Sequence, residues 1–199
     1  MKQEDIYLRT DERSEAYNAL IKTIQFLDET NEETYNWKWF LISLHNCLQA
    51  FMVLALKGSS SLSVMKPHHA RKWLNSYETN NRYHKVKMDH FINLFEKIQS
   101  DVMMKYTDSK IFASTEQIST SIHELNELRN NFIHYMPKGW SLNISGLPSL
   151  GLDVVGILRF LVNESGNIDF FEVDRKQYTE QLIEELSRKL TQMKHKYVV

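Results

Sequence analysis

Arg129, Asn130 and His134 stand close together in the stretch Leu125-Asn126-Glu127-Leu128-Arg129-Asn130-Asn131-Phe132-Ile133-His134-Tyr135. A guanidinium presents a rigid fork of donors that matches phosphate or carboxylate oxygens. An imidazole titrates near pH 6.5 and can take or give a proton at neutral pH. A carboxamide both donates and accepts, so it can orient either neighbour. Together these groups can hold an anion and move protons beside it.

The stretch reads as a helix over 114–140. At 100° per residue, Ile118, Ile122, Leu125, Leu128, Phe132, Ile133 and Met136 fall within about 80° of one direction, a core-facing stripe. Ser114 or Thr115 can cap its first amides, and Pro137 with Gly139 prevents continuation. Arg129 lies about 20° from the centre of the stripe, where burial would cost several kcal/mol unless an acceptor meets the guanidinium. A carboxylate or other acceptor is therefore expected beside it. Asn130 and His134 point well away from the stripe. Arg129 and His134 diverge by about 140° on a regular helix, so a shared site needs the arginine to reach round or a second chain to close it.

Other elements must position these groups. Residues 14–27 have helical spacing of Ala16, Leu20, Ile21, Ile24 and Leu27, and Asp28 to Glu33 is a polar break. Thr34 or Asn36 can cap a second helix that runs to Leu56 and ends at Lys57-Gly58. It is apolar nearly all round, as the central helix of a bundle should be. Lys38, His45, Asn46 and Gln49 nevertheless fall within about 100° of one another. That polar stripe either meets solvent or lines the pocket that holds Arg129.

After the serine-rich connection 59–63 comes a basic segment. Lys66, Arg71, Lys72, Arg82, Lys85 and Lys87 face Glu78 alone, with Trp73, Tyr77 and Tyr83 among them and His68, His69 and His84 nearby. Cations with interspersed aromatic faces suit single-stranded nucleic acid. The plainer alternative is a charged surface with Trp73 packed inward. A helix over 85–106, a loop over 138–148 anchored by Trp140, a short helix over 149–162 and a last helix over 175–197 complete the chain. In the last helix Glu184/Arg188 and Glu185/Lys189 form i,i+4 pairs. A β-hairpin near 157–173 competes for one part, because Asn163-Glu164-Ser165-Gly166-Asn167 has turn chemistry.

The chain has 199 residues, 42% of them hydrophobic, with six Gly and three Pro. That is about one domain with an ample core and too few turn residues for an all-β fold. The expectation is an all-α, single-domain bundle of about five to seven helices spanning 1–199. The single cysteine, Cys47, allows no internal disulfide, and the first residues lack a signal-peptide core, which points to the cytoplasm. The longest uninterrupted apolar run in the second helix, 50–56, is too short for a bilayer, so no membrane association is expected. A net charge of −1 gives no global pull towards nucleic acid. No phosphate-cradling glycine loop, G-x-S-x-G elbow or metal-ligand spacing occurs, and neither metal nor cofactor is expected.

Arg129-Asn130-x-x-x-His134 resembles the HEPN superfamily, helical bundles with an R-x(4 to 6)-H motif that often carries Asn, Asp or His after the arginine. The resemblance covers the motif helix closely and the long second helix loosely. Arg188 to His195 is also R-x(6)-H, but Arg188 lies opposite the apolar face of its helix and lacks the adjacent Asn. The resemblance implies a metal-independent RNA endonuclease of toxin–antitoxin, abortive-infection or other host-defence systems, with a possible antitoxin protein as partner. It also implies a homodimer whose motif helices meet across a two-fold axis. Arg129, Asn130 and His134 would be its catalytic residues, supported by His45, Asn46 and Gln49 of the second helix. The competing expectation is a non-catalytic HEPN-like module that binds nucleic acid or protein.

Overall fold

The computed structural model describes residues 6–80, 87–134, 137, 139–170 and 173–197. Among them are seven α-helices and no strand: α1 (Glu12–Glu29), α2 (Trp37–Lys57), α3 (Pro67–Glu78), α4 (Phe91–Ile98), α5 (Glu116–Ile133), α6 (Leu147–Arg159) and α7 (Val173–Tyr197). The all-α bundle expected from composition is the observed architecture.

Helix α2 is its axis. Phe40, Leu41, Leu44, Leu48, Phe51 and Met52 are all buried, and α1, α4, α5 and α6 pack round them. The segment Thr34–Lys57 is long and apolar enough by composition to cross a membrane, but 67% of an apolar 18-residue window within it lies inside the molecule, so core packing accounts for its apolarity. Small residues let α1 approach closely. Ala16 and Ala19 are buried against α2, and the Thr23 and Ser43 hydroxyls meet at 3.0 Å. Asn36 does not cap α2 with its side chain. Its amide instead donates to Glu29 O at 3.0 Å, a carbonyl at the end of α1 that also accepts from the Glu32 and Glu33 amides.

The single helix expected over 85–106 is shorter and starts later. Its described part is α4 followed by a 3₁₀ turn at Asp101–Met103. The chain before α4 is held extended because the buried Asp89 accepts from the His90 amide (2.9 Å), Asn93 (2.7 Å) and Lys97 Nζ (2.7 Å). Lys97 also donates to Ser63 O at 3.0 Å and Met65 O at 2.9 Å, tying α4 to the turn after α2.

No hairpin forms in the described part of 157–173. Helix α6 continues through a π-helical turn at Phe160–Glu164, and Ser165-Gly166-Asn167 becomes a corner in which Ser165 and Asn167 are buried. Asn167 Nδ2 donates to Ala55 O at 3.0 Å and Met103 O at 2.7 Å, while its Oδ1 accepts from Ser109 Oγ at 2.5 Å. Ala55 lies in the last turn of α2, whose carbonyls lack helical partners, so the corner residue finishes a helix over a hundred positions away. Gly166 has φ +70°, and a Cβ there would stand 2.8 Å from Asp108 O. What reads as hairpin chemistry is the chemistry of this corner.

Candidate functional site

Helix α5 begins where expected, with Thr115 Oγ1 accepting from the Ile118 amide at 3.2 Å. It ends earlier, at Ile133. His134 leaves helical geometry (φ −108°, ψ 46°), although its amide still donates to Asn130 O at 2.8 Å. The regular-helix angle between Arg129 and His134 therefore does not apply.

The core direction of α5 is set by Ser121, Ile122, Leu125 and Leu128, which are buried, whereas Ile133 is 42% exposed. By helical arithmetic that direction lies roughly 50° from Arg129. Arg129 is consequently half-buried at the flank rather than inside the core. Its Nη1 donates to Asn130 Oδ1 at 3.0 Å. Among the described residues no carboxylate comes within ion-pair distance, so of the two kinds of acceptor expected it is the uncharged one, Asn130, that meets the guanidinium. The guanidinium escapes the cost of burial by lining an open cleft.

That cleft, of about 370 Å³, runs between α2 and α5 and is lined by Trp39, His45, Asn46, Gln49, Arg129 and Ile133, with Phe26 from α1. The polar stripe of α2, apart from Lys38, thus faces Arg129. His45 is buried, its ring stacked on Phe91 with centroids 3.8 Å apart and its Nε2 3.3 Å from Asn126 Oδ1. Burial drives its pKa down to about 4; the Asn126 contact opposes that, and the nearby Arg129 guanidinium adds to it. His45 is neutral at pH 7 and serves as a wall that helps fix Asn126. Asn126 escaped sequence reading, although its i,i+3 and i,i+4 spacing to Arg129 and Asn130 places it on their side of the helix.

The composition of the cleft combines an arginine with no acid. No described residue lining it is Asp or Glu, whereas three other surface clefts contain Asp11 with Asp169, Asp28, and Asp169. An uncompensated guanidinium, carboxamides and no acid make an anion site. His134 is exposed and does not line this cleft, so one chain does not bring it to the same wall as Arg129.

The basic segment lies elsewhere. Arg71 and Lys72 are exposed on α3, Lys87 is exposed, and half-buried Lys66 has its Nζ 2.7 Å from His90 Nε2. Arg82 and Lys85 lie outside the described residues. Trp73 is half-buried and stacks on Tyr77 at 5.8 Å. None of the described side chains of this segment lines the α2–α5 cleft. The expected Glu184/Arg188 pair is also absent: Glu184 instead accepts two bonds from Arg159 of α6, at 2.8 and 2.7 Å. Arg188 and His195 are both exposed. Among the described residues no three His, Cys, Asp or Glu gather as metal ligands. Comparison with known proteins finds no matching family model, no matching curated protein and no matching solved structure.

Proposed function

We propose that the chain is a metal-independent RNA endonuclease of the HEPN type, acting as a homodimer in a host-defence or toxin–antitoxin role. The observation that supports this most is the half-buried Arg129, bonded to Asn130 and facing an acid-free cleft. Arg129 would hold the scissile phosphodiester and stabilise charge on its non-bridging oxygens in the transition state. His134 would take the proton from the ribose 2′-hydroxyl as that oxygen attacks phosphorus. The 2′-O–P bond forms, the P–O5′ bond breaks, and a proton returns to the departing 5′ oxygen, leaving a 2′,3′-cyclic phosphate and a 5′-hydroxyl. Because His134 does not line its own chain's cleft, the dimer is needed to bring it opposite a partner's Arg129.

The test is cleavage of labelled RNA with EDTA present. Native chain cuts RNA and leaves the all-deoxy strand intact, while His134→Ala folds and dimerises normally yet loses at least about 100-fold in rate. Unchanged cleavage in that variant removes His134 from the reaction. A non-catalytic binding module is the second reading, favoured by the cation-rich surface round His69. There burial and then the charges of His68, Lys87, Lys72 and Lys66 hold its pKa below the ordinary value. Salt-dependent RNA binding without cleavage would select it.

A further inference from the structure

A second groove, of about 380 Å³, lies along the same α2–α5 seam and is lined by Tyr35, Trp37, Lys38, Phe132, Trp140 and Leu142, among others. We propose that it is a stacking subsite for an unpaired nucleobase next to the phosphate held at Arg129, a proposal that rests on the reading of the chain as a ribonuclease. The two grooves share a thin wall. Lys38 and Trp39 are consecutive on α2, Phe132 and Ile133 are consecutive on α5, and each pair is divided between the grooves. A strand crossing that ridge enters both.

The groove has the parts that a base and its phosphate require. Tyr35 is 60% exposed and Trp140 41% exposed, large aromatic faces left to solvent, and Trp140 packs on Phe132 with ring centroids 4.9 Å apart. The floor contains Trp37, whose buried indole N–H has no acceptor among the described residues. Lys38 Nζ stands 4.8 Å from the Trp39 ring centroid and 5.5 Å from that of Tyr35, a cation on the ridge itself. No described residue lining the groove is acidic. Aromatic faces with a lone cation and no acid complement a base joined to a phosphodiester. A duplex, with its bases stacked on one another, has no free face to offer.

Fluorescence anisotropy on the full chain, with a labelled single-stranded oligoadenylate and with a blunt RNA duplex, tests this. The single strand binds more tightly and quenches tryptophan emission. Tyr35→Ala and Trp140→Ala each weaken single-strand binding by about 5- to 100-fold and leave duplex binding unchanged. Trp140→Phe keeps a stacking face and restores most of the affinity. Tyr35, being largely exposed, decides the matter if Trp140→Ala loosens the fold. If both alanine variants bind the single strand as native chain does while Arg129→Gln does not, the groove proposal fails and the Arg129 cleft stands. Loss of self-association in Trp140→Ala with unchanged oligonucleotide affinity gives the groove to a second copy and also overturns the proposal. If native chain neither binds nor cuts RNA, the ribonuclease reading falls and takes the subsite with it.

Discussion

Two polar regions touch α2, and their hydrogen-bond accounts differ sharply. At the Asn167 corner both carboxamide atoms are engaged, two backbone carbonyls are met, and Ser109 and Ser165 close the remaining bonds. In the α2–α5 cleft, Arg129 has one side-chain acceptor, Asn130, and Asn46 is exposed. Arg159 sharpens the contrast, since its guanidinium is held by both oxygens of Glu184 and by Ser187. A saturated polar cluster specifies a fold, and an unsaturated one on a cleft is left ready for a ligand. The contrast makes separable claims about activity and stability.

The largest expected effect is on activity alone. Arg129→Gln removes the charge while keeping a polar side chain on the cleft, and RNA cleavage should fall by about 10²- to 10³-fold, the loss typical of removing one transition-state donor. Because Arg129 has no carboxylate to orphan, thermal unfolding should shift little. The matching change Arg159→Gln breaks an ion pair between largely exposed partners and should leave cleavage at the native rate. If Arg129→Gln cuts normally, or unfolds while Arg159→Gln does not, the cleft arginine is structural and the contrast is lost.

Next comes the corner. Asn167→Ala leaves Ala55 O and Met103 O buried without their donor, at a cost of about 1 to 3 kcal/mol each, so denaturant unfolding should show a loss on the order of 4 kcal/mol. A loss below about 1 kcal/mol would show that water satisfies both carbonyls as well as the side chain does. Cleavage measured well below the melting temperature should be unaffected.

The same two regions show what was legible in the sequence. The central helix, its cluster of His45, Asn46 and Gln49, and the odd placement of Arg129 all follow from local periodicity, because helical faces are set within a few residues. Trp140 is likewise readable as an anchor and does pack on Phe132. What could not be read depends on distant partners. The start of α4 is decided by Asp89 meeting Lys97 and by two backbone carbonyls after α2; the corner is decided by Ala55 and Met103. The end of α5 is a nearer failure: Pro137 reads as the stop, yet the helix breaks at His134. That the acceptor of Arg129 is the Asn130 carboxamide rather than a carboxylate was also not legible, because periodicity fixes the direction of a side chain but not whether that direction is core or cleft.

The smallest expected effect tests the wall between the two kinds of polar group. His45 is buried and neutral, and its pKa of about 4 lies below the value near 6.5 of an unfolded chain. As pH falls, the unfolded chain therefore takes up the proton first. The stabilisation is complete above about pH 6.5, is lost progressively between about pH 6.5 and about pH 4, and changes no further below that. At pH 5 the loss should be about 2 kcal/mol relative to pH 7, seen as a drop in unfolding free energy that His45→Phe abolishes. Since the Arg129 charge is one cause of the depression, Arg129→Gln should shrink the same acid loss while leaving stability at pH 7 nearly unchanged. An undiminished loss in that variant would mean that burial beside Phe91 acts alone and that the cleft arginine exerts no field on its own wall.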